Sequence, residues 1–589
     1  MRLVLRPAVA AVLALSMAAT TLQQPEPEQE QKILHGNTGG DNGAMKKSPL
    51  NDDFKAFVRE ALDRWHVPGV AVAVVDGEDA WTEGYGISSF PSTPVTPSTL
   101  FYTGSTTKAF TAAIVSLLIS SGNFSSPQDS SPLSWQTPIT HLIRDDFVLL
   151  PEYEWPAAHL TLEDALSHRT GFPRHDKALA KRYCPDRHPG TIRDVVRSLR
   201  YLPMVAEPRV KWRYCNLMFM VVSHVIETLT KEWLGQTMKE RIWEPLDMKG
   251  TYLSLEQALE AGEEVARGYY WDYVGEGNAS EGRVGGKGFV EVPRASLDLA
   301  SGAGGVVSNV LDYARWIRCL IRGDGEENGC TVLPKEAHRE LKAARIVLPP
   351  ESSKGYDAPL AYSLGWQVGT CKGHRVFTHG GSMEAYGAVV YFLPDLEYGV
   401  VVLGNTELTS NFLGREVVWK LINDKLGVSE EQRFDWAAVG RGTIERQLKL
   451  PETVVNDLYP ERANPPLPPA LPLKEYVGVY SHPAYQNITL ELVDEDDTTL
   501  SDNQTKKRER RGELKAIRDN MEWQMTFEYI HVSGEFWAVI IDMLNTPNLL
   551  TAQLARAEFV VGVKGKVDKL KMEFLENGSE GVIVFDKIA

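Results

Sequence analysis

Ser105 and Lys108 are two residues whose types and spacing could do chemistry together. Apolar residues at helical spacing from Phe110 to Leu118 predict an amphipathic helix, and Gly104 before it allows a tight turn. Ser105 then falls at the helix N-terminus, where unpaired backbone N–H groups and the helix dipole favour developing negative charge. Lys108 follows by three residues and shares a face with Ser105. A desolvated lysine can accept the serine proton, because burial lowers the pKa of an ammonium group.

As a string, Ser-x-x-Lys is a weak signal, because two fixed positions recur by chance. The chain contains one occurrence, at Ser105 and Lys108. The alternative interpretation is an N-capping serine followed by a solvated lysine. A working serine–lysine site needs further groups, namely a proton relay, an oxyanion hole and residues that orient the substrate.

Tyr214-Cys-Asn216 is the candidate for the relay. A tyrosine beside an ammonium group can lose or pass on its proton more easily. Asn216 could hold both Lys108 and a substrate carbonyl. Tyr485-Gln-Asn487 has the same pattern, but it lies in the strand-rich C-terminal part and is a glycosylation sequon, so we set it aside.

Thr378-His379-Gly-Gly-Ser382 stands at the end of a predicted strand. Its two glycines, Gly380 and Gly381, let backbone and substrate approach closely. The backbone N–H of Ser382 could pair with that of Ser105 as an oxyanion hole, and His379 would project toward the substrate. For His379 alone, a strand-end histidine without a catalytic role is the alternative.

In this order and spacing the three motifs resemble those of the serine β-lactamase and penicillin-binding protein superfamily. The nearest likeness is to its branch of class C β-lactamases, D-aminopeptidases and esterases. Leu166-Ser-His-Arg-Thr-Gly171 and Ala303-Gly-Gly305 add to the resemblance, which covers about 51–430. It implies an α/β fold in which a β-lactamase-like sheet is flanked by helices and carries an all-helical subdomain.

The resemblance also implies a mechanism and roles for the motif residues. Ser105 would attack an ester or amide carbonyl and form an acyl-enzyme, while Lys108 and Tyr214 manage its proton. Asn216, His379, Gly381 and Ser382 would bind substrate or line the oxyanion hole. No metal or organic cofactor is expected.

The third motif departs from the Lys-Thr-Gly that is common in the family. A histidine at position 379 is mostly neutral above pH ~6.5 unless perturbed, so a permanent positive charge for a substrate carboxylate is missing. Esters, lactones or uncharged amides therefore fit better than β-lactams or cell-wall-type peptides with an essential carboxylate. Gly380 also replaces a hydroxyl-bearing residue and removes one polar contact.

Length, composition and charge limit the classes of protein and of partner that fit this chain. The 589 residues indicate two or more domains, and 43% hydrophobic with 9% aromatic residues indicates globular folding. A net charge of −16 argues against a nucleic-acid backbone and an anionic membrane surface as partners. A small-molecule or peptide substrate is expected, and the oligomeric state stays open.

Residues 1–18 have the features of a secretory signal peptide. Arg2 and Arg6 precede a short apolar core from Ala8 to Leu15, and Ser16-Met-Ala18 fits a cleavage site. The core is too short for a membrane anchor, which needs about 20 apolar residues, and no later segment qualifies. We therefore expect a secreted, extracellular protein with a disordered lead-in over residues 19–50.

Sequons and cysteines agree with export. Asn-x-Ser/Thr sequons are present at Asn123, Asn278, Asn487, Asn503 and Asn577. Cys319 and Cys330 bracket a polar turn and are the best candidates for a disulfide in an oxidising compartment. The odd total of five cysteines leaves at least one thiol unpaired within the chain. A nucleophilic Cys215 is disfavoured, because no histidine lies close in sequence.

The chain divides into a catalytic region over 51–430, a linker over 431–472 and a C-terminal domain over 473–589. Six prolines between Leu458 and Pro472 predict a stiff connection. Alternating apolar residues after it predict a small antiparallel barrel or sandwich. Tyr476-Val-Gly-Val-Tyr480 resembles the start of the lipocalin-like C-terminal domain found in some members of the branch.

These features predict a secreted serine hydrolase of ester or amide bonds. One alternative is an acyltransferase that passes the acyl group from the same acyl-enzyme to a small metabolite. Another is a non-catalytic binding protein that keeps the fold, although all three motifs are intact.

Overall fold

The computed structural model describes residues 46–183, 188–273, 275, 283–284, 288–323, 330–493, 512–576 and 578–589. Several predicted features lie outside these ranges: the signal peptide, residues 19–45 of the lead-in, Cys184, and the sequons at Asn278, Asn503 and Asn577. The described residues belong to one compact unit, so contacts between its catalytic and C-terminal parts are described below.

The α-helices of the described ranges all lie before residue 459. In chain order they are α1 (Asp52–Trp65), α2 (Thr107–Ser121), α3 (Thr140–Ile143), α4 (Glu154–His159), α5 (Leu162–Leu166), α6 (Ile192–Ser198), α7 (Asn216–Thr230), α8 (Leu234–Met238), α9 (Leu255–Glu260), α10 (Ser301–Gly304), α11 (Val310–Arg322), α12 (Lys335–Lys342), α13 (Thr409–Lys425), α14 (Trp436–Leu448) and α15 (Leu450–Leu458). Two short 3-10 turns, Gly104–Thr106 and Asp176–Ala178, contribute to the site described below.

The strands form a large sheet, three small ones and a closed barrel. In chain order they are β1 (Gly69–Asp76), β2 (Asp79–Ser89), β3 (Thr93–Pro94), β4 (Phe101–Tyr102), β5 (Arg182–Tyr183), β6 (His188–Pro189), β7 (Gly268–Trp271), β8 (Arg283–Val284), β9 (Phe289–Val292), β10 (Val307–Ser308), β11 (Ile346–Val347), β12 (Ala361–Tyr362), β13 (Gln367–Cys371), β14 (His374–Met383), β15 (Tyr386–Leu393), β16 (Tyr398–Gly404), β17 (Gly478–His482), β18 (Gln486–Leu492), β19 (Leu514–Arg518), β20 (Met525–Ser533), β21 (Phe536–Met543), β22 (Gln553–Val561), β23 (Val567–Phe574) and β24 (Val582–Lys587).

The main sheet has the strand order β11-β12-β13-β14-β15-β16-β1-β2-β3. Strand β1 lies between β16 and β2 and pairs antiparallel with both, which explains why its sequence is apolar throughout. Helices α1 and α13 cover one face of the sheet and α11 covers the other. The predicted α/β fold with a β-lactamase-like sheet flanked by helices is confirmed. The central strands come from the two ends of the catalytic region, on either side of a mostly helical insert.

Helix α2 is buried on nearly all sides. Its residues from Thr107 to Ser116 are all buried, so it is a central helix, whereas the sequence predicts an amphipathic one. Phe110 explains part of the difference, because its fully buried ring stacks on Trp316 at 4.7 Å between centroids and meets Trp243 and Tyr313 edge-on. A helix that is apolar all round must be covered on every face.

The predicted linker over 431–472 is partly helical. Helices α14 and α15 lie inside it, and α15 packs on barrel strand β21. Leu450, Val454 and Leu458 of α15 are buried in one cluster with Ile530 and Ile540 of the barrel. The six prolines between Leu458 and Pro472, which predict a stiff connection, follow α15.

The C-terminal part is a closed antiparallel barrel of strands β17 to β24. Large aromatic side chains fill its interior, among them Tyr480, Tyr529, Trp537 and Phe559, which have almost no solvent exposure. The predicted barrel is confirmed over the sandwich alternative, whereas the likeness to lipocalin-like domains stays a prediction. Among the described helices, none combines the length and the apolar character that crossing a bilayer requires.

Replacing Phe110 by alanine tests whether the position of α2 depends on this packing. We expect Phe110→Ala to lower the free energy of unfolding by about 3–5 kcal/mol, because it leaves a cavity among three aromatic rings. The measurement is equilibrium urea denaturation followed by tryptophan fluorescence. Phe536→Ala is the matched control, since that ring is 48% exposed on the barrel. Equal losses in the two variants would contradict the prediction.

Candidate active site

Ser105 Oγ lies within hydrogen-bonding distance of two other motif residues. It lies in the turn that leads into α2, and Lys108 follows in the first turn of the helix. The distance from Lys108 Nζ to Ser105 Oγ is 3.0 Å, and the Tyr214 hydroxyl donates to the same oxygen at 2.7 Å. Ser105 is partly exposed. The structure therefore brings three predicted residues, separated by up to 109 positions, to one oxygen atom.

Lys108 is completely buried and is held by two carbonyl oxygens. Its Nζ donates to Asn216 Oδ1 at 2.8 Å and to the backbone oxygen of Ala303 at 2.7 Å. Burial, reinforced by the positive charge of Arg174, lowers the pKa of Lys108 well below its usual value. A neutral amine has two N–H groups and one lone pair, which here match the two carbonyls and the Ser105 hydroxyl. The geometry suits Lys108 as a base for Ser105.

Tyr214 keeps its proton at neutral pH. Burial raises the pKa of its phenol above the usual value, although the nearby Arg174 and the hydrogen bond to Ser105 oppose this shift. A neutral phenol donates one hydrogen bond, and in this structure it donates to Ser105 Oγ. Tyr214 can therefore supply a proton at this position, whereas a resident tyrosinate base is disfavoured.

Asn216 begins α7 and has both ends of its side-chain amide occupied. Its oxygen accepts from Lys108, and its nitrogen donates to Asp176 at 3.0 and 3.2 Å. The residue is 5% exposed. Asn216 thus holds Lys108, as predicted, but in this structure neither amide atom is free for the predicted contact with a substrate carbonyl.

His379 lies within β14, which continues through Ser382 because these residues pair with β15. It does not stand at a strand end, and its ring does not project freely toward a substrate. Its Nε2 accepts from the Tyr362 hydroxyl at 2.9 Å, and its Nδ1 donates to the backbone oxygen of Gly380 at 2.6 Å. Burial and the nearby Lys108 lower the pKa of His379 to about 3, so the ring is neutral at physiological pH. A buried neutral imidazole satisfies both nitrogens internally, which explains this placement.

Gly381 and Ser382 lie on a strand edge beside the Ser105 turn. Pairing with β13 ends at Thr378, so no described strand pairs with this part of β14 on that side. A Cβ on Gly381 would be 1.9 Å from the backbone oxygen of Thr103, and one on Gly104 would be 2.7 Å from the Ser382 nitrogen. Gly104 also has φ +51°, a conformation that favours glycine. The two backbone segments predicted to carry the oxyanion donors are therefore in direct contact.

Arg174 and Asp176 are residues of the site that the sequence analysis missed. The guanidinium carbon of Arg174 is 5.2 Å from the centre of the Tyr214 ring, and Asp176 accepts from Asn216. His168 also adjoins the site, with its ring 4.2 Å from that of Tyr214. A loop segment without periodicity offers no pattern for finding such residues. The two charges, two positions apart and close to the Gly171 turn, were the available signal.

The cysteines that the structure describes are either joined in a disulfide or buried as free thiols. Cys319 and Cys330 form a disulfide, as their spacing suggested. Cys215 is buried, and burial raises the pKa of its thiol to about 12, which disfavours a nucleophilic role. Of the residues that the structure describes, Cys319, Cys330 and His338 are the group whose ligand atoms lie close enough for a metal. The disulfide removes the two thiolates that such a site would need.

Comparison with known proteins agrees with this geometry. The β-lactamase family model matches residues 54–421, and the model of a domain of unknown function, DUF3471, matches residues 462–583. The Unguisins hydrolase ungD' of Aspergillus campestris is 41% identical over 508 residues, 86% of this chain and 87% of that protein. The D-aminopeptidase of Brucella anthropi is 26% identical over 385 residues, 64% and 63% of the two chains.

A solved structure extends the likeness over both parts of the chain. The octameric penicillin-binding protein homologue from Pyrococcus abyssi superposes with a TM-score of 0.52 at 19% identity. It covers 91% of this chain and 99% of that one, which supports the fold. The chain belongs to the β-lactamase family. It is an enzyme, a β-lactamase-related serine hydrolase.

The phenol of Tyr214 can be removed with little change of shape. We expect Tyr214→Phe to lower kcat/KM by about 10²–10³, because the proton donor at Ser105 Oγ is lost. Steady-state kinetics on an aryl ester provides the measurement. Tyr480→Phe is the control, since its hydroxyl donates to the Tyr476 backbone inside the barrel. A Tyr214→Phe variant as active as Tyr480→Phe would argue against a role for this phenol.

Proposed function

We propose that this protein hydrolyses amide or ester bonds through an acyl-enzyme formed on Ser105. The observation that carries the proposal is the pair of contacts at Ser105 Oγ, from the Lys108 amine at 3.0 Å and the Tyr214 phenol at 2.7 Å. The Lys108 amine suits removal of the serine proton, and the Tyr214 phenol suits delivery of a proton to the leaving group.

The first half of the reaction forms the acyl-enzyme. Lys108 takes the Ser105 proton as Oγ bonds to the carbonyl carbon, and the oxyanion accepts from the backbone N–H groups of Ser105 and Ser382. The bond from carbon to the leaving nitrogen or oxygen then breaks. The leaving group takes the Tyr214 proton, which the Lys108 ammonium replaces. In the second half, water attacks the acyl carbon while Lys108 and Tyr214 take one of its protons. The bond from that carbon to Ser105 Oγ then breaks, Oγ takes the proton back from the same pair, and the acid leaves.

The substrate that we propose is an unguisin or a compound resembling one. Support comes from the Unguisins hydrolase, which aligns with this chain over most of both proteins. The neutral His379 adds a restriction, because the third motif carries no fixed positive charge for a substrate carboxylate. Uncharged amides, esters and lactones therefore suit the site better than β-lactams that depend on their carboxylate.

We also propose that the protein is secreted and glycosylated. The support is the signal-like segment over residues 1–18, the disulfide between Cys319 and Cys330, and the exposure of two sequon asparagines, Asn123 and Asn487. Disulfides persist in oxidising compartments, and glycans attach to exposed sequons in the secretory pathway.

A substrate panel with a Ser105→Ala variant tests the catalytic proposal. We expect wild type to cleave unguisins and aryl esters faster than penicillins, and to be labelled at Ser105 by a fluorophosphonate in intact-mass analysis. Ser105→Ala should lose turnover and labelling, whereas Ser120→Ala, at the exposed end of the same helix, should keep both. Penicillin turnover equal to ester turnover would contradict the substrate proposal. Acyl transfer to an added amine or alcohol faster than hydrolysis would favour the acyltransferase alternative.

Expression in a eukaryotic host tests secretion. We expect the protein in the culture medium, with a mass that falls on treatment with an N-glycosidase. Asn123→Gln and Asn487→Gln should each remove one glycan from it. Retention of an unmodified chain inside the cells would contradict the proposal.

A further inference from the structure

The C-terminal barrel forms hydrogen bonds with one segment of the catalytic part, residues 174–181, here called the barrel-facing turn. The backbone N–H of Lys181 donates to Asn520 at 2.8 Å, and that of Glu522 donates to Leu179 at 2.8 Å. His175 lies within hydrogen-bonding distance of the Tyr485 hydroxyl, at 2.8 Å. These contacts fix the backbone of the turn to strands and loops of the barrel.

Charged side chains, of which some are partly and some completely buried, join the two parts more specifically. Arg174 Nε is 3.0 Å from Glu576 Oε1, and Lys177 Nζ is 3.2 Å from Glu576 and 3.4 Å from Glu580. The side chains of Lys177 and Glu580 have no solvent exposure. Buried charges need partners, because an unpaired charge in the protein interior is strongly destabilising. The barrel carboxylates of Glu576 and Glu580 therefore compensate the charges of Arg174 and Lys177 in this turn.

The opposite side of the same turn faces the Ser105 site. Arg174 lies against the Tyr214 ring and also pairs with Asp176 at 2.7 Å. Asp176 accepts from Asn216, and Asn216 accepts from Lys108. A continuous series of contacts thus runs from Glu576 in the barrel to the amine beside Ser105.

We propose that Glu576 and Arg174 are positioning residues of the Ser105 site, with the barrel carboxylate holding the guanidinium against Tyr214. This inference rests on the proposed function, since it concerns the reactivity of Ser105. The barrel then contributes a residue, Glu576, that positions the active site.

The charge of Arg174 gives this arrangement a measurable consequence. Lys108 must be unprotonated to accept the Ser105 proton, and a fixed cation nearby favours that state. Burial is the main cause of the lowered Lys108 pKa, Arg174 lowers it further, and Asp176 opposes both. The titratable and charged groups facing Lys108 are Arg174, Asp176, His168, Tyr214, Cys215 and His379. Removing the Arg174 charge therefore raises the Lys108 pKa and moves the acidic limb of activity to higher pH.

The experiment measures kcat, KM, their pH dependence and the rate of fluorophosphonate labelling at Ser105 for variants of the full chain. We expect Arg174→Gln to lower kcat and the labelling rate about tenfold and to move the acidic limb upward by about one pH unit. Arg174→Lys should restore the limb to the wild-type position, because it keeps the charge. Glu576→Gln should lower kcat several-fold with KM unchanged.

A double-variant cycle separates positioning from folding. If Glu576 acts through Arg174, adding Glu576→Gln to Arg174→Gln should cost little further activity. Glu558→Gln is the matched control, because Glu558 pairs with Lys571 at 3.2 Å between two barrel strands and does not contact the barrel-facing turn. Thermal melting checks that each variant is folded.

The outcomes distinguish this inference from the proposed function. An unshifted acidic limb in Arg174→Gln, additive effects of the two changes, or Glu576→Gln kinetics equal to Glu558→Gln would overturn the positioning role and leave Ser105 as the nucleophile. Absence of Ser105 labelling in wild type would overturn the proposed function, and the positioning role with it.

Discussion

The site depends on the burial of a single amine. Lys108 is the one residue of α2 with an ionisable side chain, and it is completely buried. Two carbonyl oxygens and a serine hydroxyl surround its nitrogen, which is a set that a neutral amine can satisfy completely. Desolvation therefore converts a residue that is normally a surface cation into a base. The buried helix, the glycine turn before it and the packing of Phe110 all help to exclude solvent from Lys108 Nζ.

The same burial shapes the neighbouring groups. Tyr214 and His379 are both held in their neutral forms, the phenol with its pKa raised and the imidazole with its pKa lowered to about 3. Neither of these two groups carries a fixed charge, unlike a lysine in the third motif. The charged groups close to the site belong to the barrel-facing turn and its partners. There Arg174 forms ion pairs with Asp176 and with Glu576.

The barrel and the catalytic part form one physical unit. Helix α15 buries its apolar face on the barrel, and Asn545 of the barrel donates to Glu384, two residues after Ser382, at 3.3 Å. The contacts of Glu576 with Arg174 and of Asn545 with Glu384 bring barrel residues to two segments that border the Ser105 site.

The sequence by itself determined the family, the division into an α/β catalytic region and a strand-rich C-terminal domain, and the choice of Ser105, Lys108 and Tyr214 as residues that meet. These follow from local pattern: helical spacing, strand alternation, and motif residues whose types restrict the chemistry. It did not determine the direction of His379, the double occupation of Asn216, or the roles of Arg174 and Glu576. Those depend on which groups become buried together, and Arg174 and Glu576 lie about 400 residues apart, beyond the reach of any local pattern. Only the tertiary structure decides such pairings, because desolvation and charge compensation act between groups that are neighbours in space and not in sequence.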